Sequence, residues 1–227
     1  MKGGGPLHWI DYASPHSVRE AVDLLNEAGA GARPMAGGTD VLVQLRANAL
    51  PGVELVVDIK NVPELNEITM DPELGLTLGA AVPCYKIYGN QAIKRAYPGL
   101  IDAASLIGGT QIQGRASLGG NLCNAAPSGD SIPVMIALSG VARIAGPNGE
   151  REVPLEDFCT GVRQTVLQQG EILVALHFPA PQANAGANYM RFIPRNEMDI
   201  AVAGVGSSVV LENGNIKSAR VSLASVA

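Results

Sequence analysis

The amino-acid sequence predicts an α+β fold, with an N-terminal α/β part followed by a part built on a mainly antiparallel sheet. Helical periodicity and a succession of strand, glycine loop and helix mark the first part. From Val141 onward the apolar period changes to two, and turn residues separate the apolar runs. The chain has 227 residues, of which 47% are hydrophobic. This length and composition can bury a full core, in one large domain or two modest ones.

The first strong element is an amphipathic helix over residues 17–28, SVREAVDLLNEA. Ser17 and Glu20 form a capping box, and apolar side chains recur on one face of the helix. Gly29 closes it, because glycine readily adopts the conformation in which helices end.

A short strand over residues 33–36 then leads into a glycine loop, residues 37–40 (GGTD), and an apolar helix that begins at Val41. Backbone N–H groups of such a loop form an anion site, which here would hold a phosphate without help from lysine. A tight strand-to-helix turn, with Thr39 or Asp40 as the helix cap, is the alternative interpretation.

The middle of the chain predicts two buried strands and a helix. Residues 55–59 (LVVDI) and 75–80 (GLTLGA) are the strands, and we expect them to be neighbours in one sheet. Pro98 begins the helix, which continues to Ile107 and ends at the glycine pair 108–109.

Residues 108–130 (GGTQIQGRASLGGNLCNAAPSGD) contain six glycines among small and polar residues. Such a backbone lets a ligand come close, and the hydroxyl, amides and carboxamide of residues 116–121 suit an anion or a sugar. A long irregular connection without a ligand is the alternative. An apolar helix follows, and Asp130 is either its cap or a ligand for hydroxyl groups.

The carboxyl half predicts hairpins around residues 147–149 and 213–214 and a strand in between. Residues 179–188 (PAPQANAGAN) are the expected seam between subdomains. The final strand runs to Ala227, which predicts a truncated domain or a sheet completed by another chain.

Composition and spacing argue against several function classes. The net charge of −5 and pI near 5.2, without a basic cluster, disfavour nucleic acid as a partner. The amino terminus has no signal sequence and no apolar run is long enough for membrane insertion, so a cytoplasmic protein is expected. Cys84, Cys123 and Cys159 are scattered, as are the three histidines, so no metal site is encoded and the thiols are expected to be reduced.

The chain lacks the glycine fingerprints of Rossmann and P-loop nucleotide sites. Instead, two separated glycine motifs and three further segments resemble the FAD-binding medium subunits of the molybdenum hydroxylases, such as xanthine, aldehyde and carbon monoxide dehydrogenases. The resemblance covers nearly the whole chain. Its motifs are residues 35–40 (MAGGTD), 114–121 (GRASLGGN), 123–127 (CNAAP) with Asp130, 171–173 (EIL) and 191–199 (RFIPRNEMD).

The resemblance implies an FAD-binding domain of the vanillyl-alcohol-oxidase (PCMH) type over residues 1–178, with subdomains of about 1–54 and 55–178. Residues 179–227 would be the start of a C-terminal domain that is truncated, since family members usually continue further. Residues 161–164 (GVRQ) stand where relatives often carry a glycine-proline-glycine turn, so this loop is expected to differ.

The resemblance also implies the cofactor-binding residues. One loop would wrap the FAD diphosphate, with Thr39 donating its hydroxyl, and the second would hold the diphosphate and ribityl chain. Asp130 would bind a nucleotide hydroxyl, and four residues would line the cavity. The implied set is Pro34, Met35, Ala36, Gly37, Gly38, Thr39, Asp40 and Val41 in the first loop, Thr110, Ser117, Leu118, Gly119, Gly120 and Asn121 in the second, Asp130, and the lining residues Ile107, Cys123, Leu173 and Arg191.

The implied activity is that of an electron-transfer subunit. FAD would take electrons from a [2Fe-2S] small subunit, which drains a molybdopterin large subunit, and would pass them to NAD or a quinone, in a heterotrimer or its dimer. The protein would supply the position and surroundings of the flavin, with no catalytic side chain and no metal of its own. A non-catalytic assembly or scaffold subunit that binds flavin poorly is the alternative.

Overall fold

The computed structural model describes residues 9–195 and 198–226, so His8, part of the 191–199 motif and Ala227 lie outside the described residues. The chain contains both helices and mainly antiparallel sheets, which confirms the α+β prediction. The strands and helices in order are β1 (Asp11–Ala13), α1 (Val18–Ala28), β2 (Ala32–Met35), α2 (Val41–Arg46), β3 (Leu55–Asp58), β4 (Ile68–Asp71), β5 (Gly75–Gly79), α3 (Cys84–Tyr88), α4 (Gln91–Ala96), α5 (Pro98–Ala104), α6 (Thr110–Gln113), α7 (Leu118–Asn124), α8 (Ser131–Ala137), β6 (Val141–Gly146), β7 (Gly149–Pro154), α9 (Leu155–Phe158), β8 (Cys159–Gly161), β9 (Gln164–Thr165), β10 (Ile172–Phe178), β11 (Ala185–Phe192), β12 (Ala203–Glu212) and β13 (Asn215–Ala224).

The N-terminal part is a three-stranded parallel sheet in the order β1-β3-β2, covered by α1. Ser17 accepts a hydrogen bond from the Glu20 backbone N–H, as the capping box predicts. The buried face of α1, at Val22 and Leu25, packs into a core that also holds Val174 of β10. Helix α1 therefore links the parallel sheet to the rest of the protein.

The central layer is a five-stranded antiparallel sheet in the order β4-β5-β10-β6-β7. The predicted pairing of residues 55–59 with residues 75–80 is wrong. The first of these strands, β3, lies between β1 and β2, whereas β5 pairs with β4 and β10. Apolar runs identify buried strands but do not specify their partners, because a strand buried on both faces fits a parallel or an antiparallel sheet.

Buried side chains of helices α3, α4, α5, α7 and α8 and of strands β5, β6 and β10 together form the main core. The Tyr97 and Phe178 rings lie 6.3 Å apart between their centroids, and the buried Tyr97 hydroxyl donates to the Phe178 and Pro179 carbonyls. This contact fixes the end of the central strand β10 against the helical layer.

The last three strands form a separate antiparallel sheet in the order β11-β12-β13, which packs on α5 and α8. Gly206 lies directly on the backbone of α8, where an added Cβ would be 2.3 Å from the Val134 nitrogen. The predicted hairpin turn is confirmed, with left-handed conformations at Asn213 (φ 52°) and Gly214 (φ 79°). Among residues 9–195 and 198–226, no helix has the length and apolar character to span a bilayer.

Candidate cofactor site

A cavity of about 660 Å³ lies between the parallel sheet and the central sheet, and both glycine motifs form its wall. The residues that the sequence analysis assigned to two distant loops are therefore brought to one place. Of the predicted set, the wall contains Pro34, Ala36, Gly37, Gly38, Thr39, Asp40, Val41, Ile107, Ser117, Gly119, Gly120, Asn121, Cys123 and Leu173.

Five predicted residues lie outside this wall. Met35 and Leu118 are buried in the protein interior, and Thr110 is exposed at the start of α6. Asp130 and Arg191 bond to each other next to α8. Direct contact of these five with the cofactor stays a prediction.

The first glycine loop connects β2 to α2 by a tight turn. Gly38 has a φ of 77°, which an L side chain rarely adopts. Asp40 occupies the cap position of α2, but its side chain makes no capping hydrogen bond. The helix therefore does not use the Asp40 carboxylate as a cap, and Asp40 and Thr39 both line the cavity.

The second motif is not one irregular loop, because two short helices, α6 and α7, divide it. Ser117 caps α7 by accepting a hydrogen bond of 3.0 Å from the Gly120 backbone N–H. Gly119 packs on the Ala80 backbone, where an added Cβ would lie 2.4 Å from the carbonyl oxygen. Close packing therefore requires a glycine at position 119, and this residue borders the cavity together with Gly120 and Asn121.

The two motifs also contact each other. The Arg115 Nε atom donates to the Gly37 carbonyl at 2.8 Å, and Gln44 Nε2 of α2 donates to Asn124 Oδ1 of α7 at the same distance. An added Cβ on Gly37 would lie 2.1 Å from the Arg115 carbonyl oxygen, so the loops meet backbone to backbone.

Asp130 forms a buried cluster with Tyr189 and Arg191. Tyr189 donates its hydroxyl to Asp130 at 2.7 Å, and Arg191 Nη1 lies 2.9 Å from the other carboxylate oxygen. Burial raises the pKa of Asp130, while Tyr189 and Arg191 oppose this rise. Asp130 makes no side-chain capping bond to α8, so its described partners are the tyrosine and the arginine of β11.

Charged residues that the sequence analysis did not assign also line the cavity. Arg33 of β2 is close enough to Cys123 to oppose the burial that raises the pKa of this thiol to about 12. Arg163 has a left-handed φ of 57°, held by a hydrogen bond from its N–H to the Ala125 carbonyl. The position of Arg33 directly before Pro34 was an available signal, whereas Arg163 was noted only as part of a divergent turn.

Glu171 belongs to the cavity wall, and its negative charge is paired with Arg151, which lies outside the wall. Arg151 donates from Nε and Nη2 to the two carboxylate oxygens of Glu171, both at 2.7 Å. These bonds hold the pKa of Glu171 below its usual value. Two residues later, a β-bulge between Leu173 and Ala175 interrupts the pairing of β10 with β6 at the cavity.

The three cysteines are free thiols. In the part of the chain that the structure describes, no group of three or more His, Cys, Asp or Glu side chains could hold a metal ion.

The cavity fits a dinucleotide such as FAD in size and chemistry. Its volume lies within the range of about 300–1,000 Å³ that is usual for ligand pockets. Glycine-rich backbone forms one region of the wall, and apolar side chains such as Ile107, Ile112 and Leu173 form another. Backbone N–H groups suit phosphates, and an apolar slot suits an aromatic ring.

Comparison with known proteins supports the same cofactor. Residues 8–181 match the family model described as the FAD binding domain in molybdopterin dehydrogenase. The chain is 36% identical over 215 residues to the putative xanthine dehydrogenase FAD-binding subunit XdhB of Escherichia coli K12, covering 93% of this chain and 73% of that protein. It is 32% identical over 220 residues to the carbon monoxide dehydrogenase medium chain of Hydrogenophaga pseudoflava, covering 96% and 75%.

Solved structures have the same fold. Carbon monoxide dehydrogenase from Hydrogenophaga pseudoflava superposes with a TM-score of 0.92 at 30% identity, over 98% of this chain and 77% of that chain. Quinoline 2-oxidoreductase from Pseudomonas putida 86 gives a TM-score of 0.89 at 26% identity, over 98% and 76%. These matches confirm the PCMH-type fold. The chain therefore belongs to the FAD-binding domain family of the molybdopterin dehydrogenases, as an FAD-binding subunit of oxidoreductases of the xanthine and carbon monoxide dehydrogenase type.

Proposed function

We propose that this chain is the electron-transfer subunit of a molybdopterin-dependent dehydrogenase, in which FAD occupies the cavity described above. FAD would receive electrons from the [2Fe-2S] clusters of a partner subunit and deliver them to NAD or another acceptor. The observation that carries this proposal is that both glycine motifs, far apart in sequence, form the wall of one cavity.

The role of the chain is to hold the cofactor and control its surroundings. The backbone around Gly38 and Gly120 would accommodate the diphosphate, with Arg33 and Arg163 as nearby cations. Ile107 and Leu173 would exclude water from the ring. The bound flavin supplies the electron exchange, whereas the protein supplies position and polarity.

The names of the relatives support a proposal for the partner subunits. Those that match this chain include the medium chain of a carbon monoxide dehydrogenase and the FAD subunit of a nicotinate dehydrogenase. We propose a molybdopterin large subunit and a [2Fe-2S] small subunit as partners, in a heterotrimer or its dimer, located in the cytoplasm. Relatives of this chain belong to enzymes named for different substrates. We therefore assign the binding and oxidation of the substrate to the large subunit and not to this chain.

The test is reconstitution from purified components. The isolated chain should bind FAD and be bleached by dithionite, but it should not reduce dyes with purines, aldehydes or carbon monoxide. Substrate-dependent reduction of its flavin should appear only when the iron-sulfur and molybdopterin subunits are added. A colourless chain that still promotes assembly would support the scaffold alternative, and dye reduction by the metal-free chain alone would contradict the subunit role.

A further inference from the structure

Two side-chain hydrogen bonds connect the first glycine loop and helix α2 to the second motif. Arg115 bonds to the loop at Gly37, and Gln44 of α2 bonds to Asn124 of α7. We propose that Arg115 and Gln44 form a latch that sets how long FAD stays bound, acting as positioning residues outside the cavity wall. This inference rests on the proposed location of FAD between the two motifs.

The Arg115 side of the latch lies at the glycine loop itself. Arg115 Nε donates to the Gly37 carbonyl at 2.8 Å. Gly37 has no side chain to separate the two segments, and the position of its absent Cβ is 2.1 Å from the Arg115 carbonyl oxygen. The two loops consequently touch, and the bond from Arg115 keeps them in contact.

The Gln44 side of the latch lies on α2. None of the six residues of this helix, all of which the structure describes, is buried, and Leu42 and Val43 are 45% and 62% exposed. Apolar packing therefore holds α2 only weakly. The bond of 2.8 Å from Gln44 Nε2 to Asn124 Oδ1 ties the helix to α7, and Arg163 approaches the same oxygen at 3.4 Å.

These two bonds have a common consequence. The first loop and α2 lie between them, and residues 37–41 form one side of the cavity. Release of a cofactor held between the motifs requires this segment to move, which breaks both bonds. A single hydrogen bond corresponds to roughly a two- to tenfold change in the population of the opened state. The loss of both should raise it further.

The test compares FAD release from Arg115→Met, Gln44→Met and the double variant with release from the wild-type chain. Arg95→Met and Gln91→Met are matched controls, because both residues are exposed on α4 away from the cavity. We expect each latch variant to release FAD about two to ten times faster, and the double variant faster still. Arg115→Lys should restore part of the retention, since lysine keeps a cationic donor.

Two further measurements separate the latch from general destabilisation. Without FAD, the latch variants should melt at the same temperature as the control variants, because α2 contributes little to the core. Amide hydrogen exchange of residues 37–46 in the FAD-free protein should accelerate in the latch variants and not in the controls.

Unchanged hydrogen exchange and unchanged FAD release would overturn the latch. If the latch variants release FAD faster but also melt at a lower temperature than the controls in the FAD-free state, both residues would be assigned to general stability instead. If the wild-type chain binds no FAD, the proposed function itself fails, and the exchange measurement still decides whether the two bonds restrain the segment.

Discussion

Substitution by alanine should destabilise the protein at Gly119 and have little effect at the adjacent Gly120, both in α7. The added Cβ of Gly119→Ala would lie 2.4 Å from the Ala80 carbonyl oxygen and 2.7 Å from its Cα, whereas ordinary contacts begin at 3.4 Å. Ala80 cannot withdraw easily, because its N–H is bonded to the Val174 carbonyl of the central sheet at 2.9 Å. Helix α7 would therefore have to move by about 1 Å, away from the core in which its own Leu122 is buried.

The expected magnitude follows from two opposing effects. Overpacking a core typically costs about 1–3 kcal/mol, and alanine in place of glycine within a helix returns roughly 0.5–1 kcal/mol. Because the atoms closest to the new Cβ of Gly119→Ala belong to the Ala80 backbone, the upper end of the overpacking cost, about 3 kcal/mol, applies. A net loss of about 2 kcal/mol is then expected, or roughly 4–8 °C in melting temperature for a chain of this size. In Gly120→Ala the new Cβ meets only the Ser117 Oγ atom, at 3.1 Å, so the free energy of unfolding should change by less than about 1 kcal/mol.

Thermal unfolding of the FAD-free proteins provides the assay, so that cofactor binding does not contribute to the difference. Equal melting temperatures for the two variants would refute the packing of α7 on Ala80. Substitutions at Gly119 are for the same reason a poor probe of cofactor contact, since they disturb the fold first.

Two further substitutions test the charged groups. Asp130→Ala leaves Tyr189 and the nearly buried Arg191 without their acceptor, so the FAD-free protein should lose about 3 kcal/mol, and an unchanged melting temperature would assign Asp130 to the cofactor alone. Glu171→Gln should lower the melting temperature at neutral pH. Arg151 depresses the pKa of Glu171 in the folded state, so the ionised Glu171 stabilises the fold above its unfolded pKa of about 4.5, and this stabilisation is lost as the pH falls below that value. The difference in melting temperature between the wild-type chain and Glu171→Gln should therefore shrink in acid. A difference independent of pH would contradict this.

Helix caps and tight turns could be predicted from the sequence, because a few neighbouring residues determine them. The capping box at Ser17 and the turn at Asn213 and Gly214 occur where predicted, because each depends on neighbouring residues. The partner of residues 55–59 was predicted wrongly, because strand pairing depends on tertiary packing. The short helices within residues 108–130 were not predicted, because helices of four and seven residues show no clear periodicity.

In the candidate site too, features set by neighbouring residues were predicted and contacts between distant residues were not. Glycine spacing and family motifs identified the loops that form the cavity, but the contact of Arg115 with Gly37 joins residues 78 positions apart and has no local signature. Arg33 was missed although it directly precedes the predicted residue Pro34. Arg163 was missed because the sequence of a turn does not show which of its side chains lies at the cavity. Asp130 and Arg191 were both predicted as cofactor-binding residues, but their bond to each other and the bond from Tyr189 to Asp130 were not predicted.

FAD titration of the wild-type chain and of Ile107→Trp tests most directly whether the cofactor occupies this cavity. The wild-type chain should bind one FAD, and the indole of the variant should fill the apolar part of the cavity and weaken binding at least tenfold, which is about 1.4 kcal/mol. Ile216→Trp, on an exposed strand of the last sheet, is the matched control and should bind as the wild-type chain does. Full-strength binding by Ile107→Trp, or no binding by the wild-type chain, would contradict the account.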